Sequence, residues 1–342
     1  MQHLAIDLGS RTSQICIRSE AGEIIDERKV PTKRLPDYLG KQPRSRVIVE
    51  TSTEAFFVAD AALAHGHEAR VVSATLVRSL GVGDRGIKTD QRDARKLSEV
   101  STRIDLPSVH IPSEQSRERK ALCNSRGVLL HARTKLINYV RSRLRSHAVV
   151  ITKRNPSTFP AQVRQLLLAQ PQGVPVHLER VLQVLESLND QLKDADRELL
   201  ELAEQDALCK RLMTAPGVGP LIATRFVAVV DQPERFESSH HLMSNIGLTP
   251  GEKSSSLRSH RTSITKAGAS DLRSALVQGS WSMMHARKEE PMVRWALAIA
   301  ARRSKQVAVV ALARKLAGVL WSLWRDGTAY DPKKTAASLA ES

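Results

Sequence analysis

The sequence predicts a multidomain chain with an α/β N-terminal domain, a helical middle with a coiled-coil pattern and a mostly α C-terminal domain. Three observations predict it. Residues 1–73 alternate short β-branched runs with turn residues, residues 178–202 carry an apolar seam in steps of three and four, and residues 271–325 follow a helical pattern. At 342 residues, 41% of them hydrophobic, the chain can bury two cores of ordinary size. The expected divisions are 1–112, 113–208 and 209–330, with a tail over 331–342.

Residues 3–7 read as a short buried strand, and 13–17 and 23–30 as two more, separated by the turn-like Glu20-Ala21-Gly22. Residues 46–50 (Arg-Val-Ile-Val-Glu) form a fourth strand, a helix follows over 54–65, and 69–73 form a fifth strand. A meander followed by strand, helix and strand resembles the order of ribonuclease-H-like domains. Residues 91–100 read as a helix, and a long basic helix follows over 113–147. Its buried stripe is Leu129, Leu130, Leu136, Ile137, Val140 and Leu144. Acidic residues vanish from it after Glu118, so no i,i+4 pair neutralises its cations, and Arg133, Lys135 and Arg141 are expected to face phosphate.

Pro156, Pro160, Pro171 and Pro175 mark 155–175 as an irregular connector with room for a short helix over 164–169. Leu178, Val181, Leu185, Leu188, Leu192, Ala195, Leu199 and Leu202 then form a heptad seam, which predicts a coiled coil and self-association as a dimer or tetramer; the alternative is a helix packed on its own domain. Pro216-Gly217-Val218-Gly219-Pro220 joins two helical stretches, a hairpin able to turn backbone N–H groups toward a phosphate or to serve only as a tight turn. Trp281, Trp295, Trp321 and Trp324 are assigned to the core, and the chain after Asp331-Pro332 to a frayed tail.

Lys plus Arg number 52 against 36 Asp plus Glu, a formal charge of +16, which points to a polyanionic partner, nucleic acid above all. Aromatic residues make up only 4%, which favours phosphate and shape contacts over a stacking platform. Cys16, Cys123 and Cys209 lie too far apart for metal-ligand spacing and are odd in number, so buried thiols are expected. No signal sequence and no membrane span are expected, and the protein is placed in the cytoplasm.

The chemistry suggested by the first domain lies in its carboxylates. Asp7 ends the first strand and Glu50 the fourth, so neighbouring strand ends place them together. Asp90 and Asp93 are three apart at a helix start, and a helix crossing that edge is expected to bring them to the same place. Four such carboxylates repel one another unless a cation sits among them, and hard oxygen ligands select Mg²⁺ or Mn²⁺. Asp7-Leu8-Gly9-Ser10 also resembles the first phosphate loop of actin-like ATPases and sugar kinases, but the second glycine-rich loop of those proteins is not found in the sequence.

Ile6-Asp7, Val49-Glu50 and Thr89-Asp90-x-x-Asp93-Ala94-Arg95 resemble the DEDD pattern of a RuvC-like domain. Pro216-Gly217-Val218-Gly219-Pro220, Gly247-Leu248-Thr249-Pro250, Ile264-Thr265-Lys266-Ala267-Gly268 and Leu272-Arg273 follow in order. Together they resemble the "one-ten" family of insertion-sequence transposases, understood as bridge-RNA-guided recombinases. The resemblance implies that Asp7, Glu50, Asp90 and Asp93 hold Mg²⁺, and that a serine after Gly-Leu-x-Pro attacks donor and target DNA and becomes covalently joined to it. The segment here is Pro250-Gly251-Glu252-Lys253-Ser254-Ser255-Ser256, and the counts from Pro250 and Lys266 both favour Ser255. Ser256 stands where the family carries glycine, which leaves the register open by one residue and Ser254 in reserve. Lys253, Arg258, His260, Arg261 and Lys266 surround the serines with groups able to bind phosphate. The alternatives are a metal-only nuclease, and a nucleic-acid-binding relative without activity.

Overall fold

A computed structural model describes residues 1–79, 89–152, 155–171, 173–255 and 258–340, excepting the side chains of 253–255, 258–261 and 338–340. The chain folds as two compact units, Met1–Pro112 and Ser113–Ser342.

The first unit is a five-stranded mixed sheet flanked by helices. Its elements are β1 (Gln2–Asp7), β2 (Thr12–Arg18), β3 (Ile24–Pro31), α1 (Leu35–Leu39), β4 (Ser45–Glu50), α2 (Ala55–Ala64), β5 (Glu68–Val72), α3 (Ala74–Ser79) and α4 (Asp90–Arg103), and its strand order is β3-β2-β1-β4-β5. The first three strands form an antiparallel meander, and β4 and β5 join in parallel, β4 beside β1 and β5 beside β4. Both faces are covered, which is why β1 and β4 are apolar runs rather than alternating ones. Leu4, Ile6, Val47 and Val49 pack toward α1 and α2, while Ala5, Ile48 and Val72 pack toward Leu97 and Val100 of α4. His67 is buried at the joint, accepting from the Ser45 N–H at 3.1 Å and bonded through Nε2 to the Leu39 carbonyl at 3.0 Å.

The second unit is helical apart from one hairpin. It contains α5 (Glu114–Arg145), α6 (Phe159–Leu168), α7 (Val176–Gln205), α8 (Ala207–Met213), α9 (Pro220–Val230), α10 (Ser239–Asn245), β6 (Pro250–Ser255), β7 (Arg258–Ile264), α11 (Ser270–Ala286), α12 (Pro291–Arg302), α13 (Lys305–Arg325) and α14 (Pro332–Ala340). The seam of α7 is buried inside this unit. Leu178, Leu182 and Leu185 pack with Ile137, Val140 and Leu144 of α5 and with Phe159 of α6. The two long helices run antiparallel, since Arg119 pairs with Asp206, Arg126 with Asp196 and Arg133 with Asn189. The stripe that predicted a coiled coil between copies is therefore occupied within the chain, the second of the two readings a heptad seam allows.

The main core of the unit gathers α8, α9 and α11–α13 around Phe226, Leu272, Met292, Leu312, Leu316 and Leu320. By length and composition α13 could cross a bilayer, yet half of it is buried among these helices, as befits a core helix. All four tryptophans belong to this core, Trp321 buried and the others at its edge. The three cysteines are free and buried, and burial pushes the Cys209 thiol up to about 11. The segment read as a frayed tail instead forms α14, anchored where Tyr330 donates its hydroxyl to Glu290 and the Asp331 carboxylate accepts from the Lys333 N–H.

Burial of the α7 stripe within one chain has a measurable consequence. Leu185 is 1% exposed, so Leu185→Ala is expected to cost about 2–5 kcal/mol. Thermal melts should fall by the same amount at every protein concentration, whereas a seam buried between copies would make the loss depend on concentration.

Candidate active site

Asp7 and Glu50 close two adjacent parallel strands. Ile6 pairs with Val49, and each carboxylate is the next residue along its strand. Both are half-buried. The loop after Asp7 is held tightly. A side chain at Gly9 would meet the Thr12 carbonyl at 2.4 Å, and Thr32 donates its hydroxyl to the Gly9 carbonyl at 2.6 Å and shares a 2.8 Å bond with Ser13. The loop after Glu50 is tied to the end of β5 by the Thr51 N–H on the Val72 carbonyl and the Ala74 N–H on Thr51 Oγ1.

Asp90 and Asp93 occupy the first turn of α4, where the helix dipole favours negative charge, and Thr89 caps the helix by accepting from the Arg92 N–H. The helix crosses β1 and β2 with Ser101 bonded to His3 at 2.6 Å and Ser98 to Cys16, the partner of Ala5 in β1. Each step back along α4 is thus a step forward along β1, which carries the helix start toward the end that bears Asp7. The four carboxylates nevertheless do not close into a cage. Among the described residues no group of three His, Cys, Asp or Glu side chains is placed to hold a metal ion. Asp7 and Glu50 form a strand-end pair and Asp90 and Asp93 stand in the first turn of α4, so the expected cluster of four is not closed in this structure. Glu27 on β3 binds Arg95 through two hydrogen bonds and Gln91 through a third at 3.3 Å, which ties the first turns of α4 to the meander.

The second group of residues surrounds the β6–β7 hairpin. Ser254 is paired with Ser259, Ser255 with Arg258, Lys253 with His260 and Glu252 with Arg261. Ser254, Ser255, Arg258 and Arg261 therefore lie on strands by backbone, their side chains outside the described residues, and Ser256 lies outside them altogether. No pattern in the sequence marks these strands. Lys-Ser-Ser-Ser and Arg-Ser-His-Arg-Thr-Ser alternate no apolar residues, so the period-two signal that marks a half-buried strand is missing.

Backbone hydrogen bonds close the root of the hairpin. The Thr265 N–H donates to the Thr249 carbonyl at 2.9 Å and the Lys266 N–H to the Gly247 carbonyl at 3.2 Å. Gly247, Lys266 and Gly268 all have left-handed backbones, with φ of 70, 57 and 66°. A side chain on Gly268 would sit 1.8 Å from the Asn245 carbonyl, so only glycine fits. Arg273 then pins both sides of the root, donating to the Ile246 and Ala267 carbonyls at 2.9 Å each. The glycine hairpin before α9 is anchored in the same unit. Gly217 lies against Gly279 and Met283 of α11 with no room for a Cβ. That close approach, with φ of 75° at Gly217, is what requires glycine at this turn.

Of the expected phosphate contacts, Lys135 and Lys266 are exposed. Arg133 donates to Asn189 at 3.2 Å, and Arg141 stacks over Phe159 at 5.3 Å. The missing i,i+4 partners of the basic helix are supplied by α7 and its capping residue, Asp196 for Arg126 and Asp206 for Arg119, 70 residues or more away in the chain. Lys120, Arg143 and Arg145 remain exposed with Lys135 as its outer cations.

Comparison with known proteins bears on both units. Residues 4–148 match a family described as a DEDD transposase of the IS110 type, and residues 209–296 match the transposase family described as IS116/IS110/IS902. The chain is 27% identical over 94% of its length to the transposase for insertion sequence element IS1111A of Coxiella burnetii, covering 88% of that protein. It is 25% identical over 96% of its length to the transposase for IS1328 of Yersinia enterocolitica, covering 98% of it. A protein of Pseudomonas aeruginosa described as "Probable family 20 transposase" matches at 25% identity over 97% of the chain and 99% of its own length.

The Glu27–Arg95 pair ties the helix bearing Asp90 and Asp93 to the sheet, and it is sensitive to pH. Hydrogen bonds from Arg95 hold the Glu27 carboxyl below its usual range. The stabilisation is present above that range and lost as pH falls through the depressed value. Arg95 is half exposed, so the effect is modest and weakens with salt. The parent should melt above Glu27→Gln at neutral pH, and the gap should close at acid pH below about 4. A gap that widens on acidification would contradict the pairing.

Proposed function

The chain belongs to the IS116/IS110/IS902 family of transposases and is therefore a DNA recombinase, and from that premise we propose that it cuts and rejoins DNA through a covalent serine–DNA link made by Ser255. The observation that carries this reading is the root of the β6–β7 hairpin. Three sequence segments spread over residues 247–273 are hydrogen-bonded there into one rigid base, and the serine-rich strand projects from it. Such a base fixes a nucleophile on rigid structure, as covalent catalysis requires.

In the proposed reaction the serine hydroxyl attacks a DNA phosphorus. The Oγ–P bond forms, the bond from phosphorus to one DNA oxygen breaks, and the proton lost by serine passes to that departing oxygen. After exchange of partners a DNA hydroxyl attacks the serine-linked phosphorus and releases the serine. Each step trades one phosphodiester for another, so no nucleotide cofactor is consumed. Arg258, Arg261 and Lys266, all on or beside the hairpin, would neutralise the phosphate. The DEDD match of the first unit supports use of a divalent cation, Mg²⁺ or Mn²⁺, with Asp7, Glu50, Asp90 and Asp93 as its candidate ligands. They do not converge on one in this structure, so no step is assigned to it. A guide RNA, donor and target DNA, and a dimer or tetramer complete the proposed assembly, acting in the cytoplasm on the bacterial nucleoid. The exposed cations of α5 offer the nucleic acids a surface.

A denaturing gel tests the reading. Protein, Mg²⁺, the element's flanking RNA and a labelled junction DNA should give a protein–DNA adduct that Ser255→Ala abolishes and Ser254→Ala leaves. Asp93→Ala should reduce it by about 10²-fold or more while DNA binding persists. Cleaved DNA without an adduct, indifferent to both serine changes, would replace this mechanism with that of a metal-only nuclease.

A further inference from the structure

Near its end, α5 carries five exposed side chains on one side: Lys135, Asn138, Tyr139, Ser142 and Arg143. Their spacings of three and four residues make them neighbours on the helix surface. Tyr139 is 45% exposed, and among the described residues of the second unit it is the one exposed aromatic side chain, the others being buried in a core or packed at its edge. No acid follows Glu118 on α5. Glu179 and Glu186, the acids in the first three turns of α7, are bound by Arg164. Lys135 and Arg143 pair with no acid, and no ring or cation stacks on Tyr139, among the described residues.

An exposed ring between two cations selects its occupant. A second copy laid on this face would set its own Lys135 and Arg143 against these, like charge on like. An acidic peptide would meet the cations and leave the ring without a flat partner. A duplex would meet the cations with phosphate, but its bases are stacked on one another and offer the ring no face. An unpaired nucleotide satisfies both, its base on Tyr139 and its flanking phosphates toward Lys135 and Arg143. These cations are about 12 Å apart along the helix axis, with the ring midway between them. Asn138 and Ser142 then decide the sugar. They stand beside the ring with an amide and a hydroxyl, groups that a 2′-hydroxyl can meet as donor and as acceptor and that deoxyribose cannot use in that way. We propose that this face of α5 binds an unpaired stretch of RNA, one base stacked on Tyr139 and the neighbouring phosphates on Lys135 and Arg143. The proposal rests on the reading of α5 as the nucleic-acid surface and goes beyond it by naming the strand and the residue that senses its unpaired state. In a chain with only 4% aromatic residues, phosphate contacts supply the general affinity and this one ring supplies the discrimination.

The test measures affinities of the full chain for labelled r(U)10, (dT)10 and a 20-base-pair DNA duplex at physiological ionic strength. The parent should bind r(U)10 more tightly than (dT)10, and Asn138→Ala combined with Ser142→Ala should narrow that gap. Tyr139→Leu removes the ring and keeps an apolar helix former at an exposed position, where the fold tolerates it. It should weaken r(U)10 binding about tenfold and duplex binding less than twofold, while Tyr139→Phe, which keeps the ring, should stay within about twofold of the parent for both. Binding of r(U)10 unchanged in Tyr139→Leu would overturn the stacking, and equal losses for r(U)10 and duplex would reduce the face to part of a general electrostatic surface. A parent that binds (dT)10 as tightly as r(U)10, with the same loss in Tyr139→Leu, would make this a DNA site and overturn the assignment to RNA. Lys135→Ala combined with Arg143→Ala tests the reading beneath the proposal: two lost phosphate contacts should lower the slope of log affinity against log salt for r(U)10 by about 1.4. That drop with an indifferent Tyr139→Leu refutes the stacking alone, and a slope unchanged in the double variant refutes α5 as the nucleic-acid surface.

Discussion

The antiparallel pairing of α5 and α7 governs the second unit, because it settles what a chain of charge +16 does with cations that repel one another. Arg119 and Arg126, seven residues apart and so on one face of α5, meet Asp206, the residue that caps the end of α7, and Asp196 within it. The same side of the pair buries Ile137, Val140 and Leu144 against Leu178, Leu182 and Leu185. The cations that face α7 are thereby used in folding, and those that face away, Lys120, Lys135, Arg143 and Arg145, are left for a polyanion. An ion pair that is only partly exposed contributes modestly to stability, so the apolar stripe holds the helices together and the charges set their register. Asp231 fixes where this arrangement begins. Its backbone is left-handed at φ 59°, and its carboxylate accepts from the N–H and hydroxyl of Ser113 and from the Ser116 hydroxyl at the start of α5.

The sheet unit was legible almost throughout, since each strand is a short β-branched run bounded by turn residues. The observed β1, β2, β3, β4 and β5 fall within a residue or so of the expected ranges. The long helices were equally plain in their apolar period. Partnership was not: a heptad seam states that a face is buried and not by what, and in α7 the partner is α5 of the same chain. The same blindness hid the salt bridges of α5, because a search for i,i+4 partners within one helix cannot see acids on another. The hairpin escaped for a different reason. Its strands are made by the Gly247–Lys266 and Thr249–Thr265 backbone bonds and by Arg273, contacts that no periodic pattern encodes.

The candidate site divides in the same way. That Asp7 and Glu50 are neighbours follows from the parallel pairing of Ile6 with Val49, a register that two apolar runs ending in an acid already imply. The place of Asp90 and Asp93 does not follow from local rules. It depends on the tilt of α4, which is set by Ser98 at Cys16, Ser101 at His3 and Arg95 at Glu27. None of these partners carries a signature in sequence. The Gly-Leu-Thr-Pro and Thr-Lys-Ala-Gly segments were visible as words, but their meaning as two sides of one hairpin root required the fold.

The two units bury separate cores, the first around the sheet and the second around α13. Each can therefore hold its chemical groups in place on its own: the carboxylates at strand and helix ends, the serines on a hairpin pinned by Arg273. Under the proposed mechanism the fold secures each of these groups locally and asks nothing more of them. The exposed cations of α5, Lys120, Lys135, Arg143 and Arg145, take no part in that local packing, so the free energy they gain on meeting phosphate is available to binding rather than to folding.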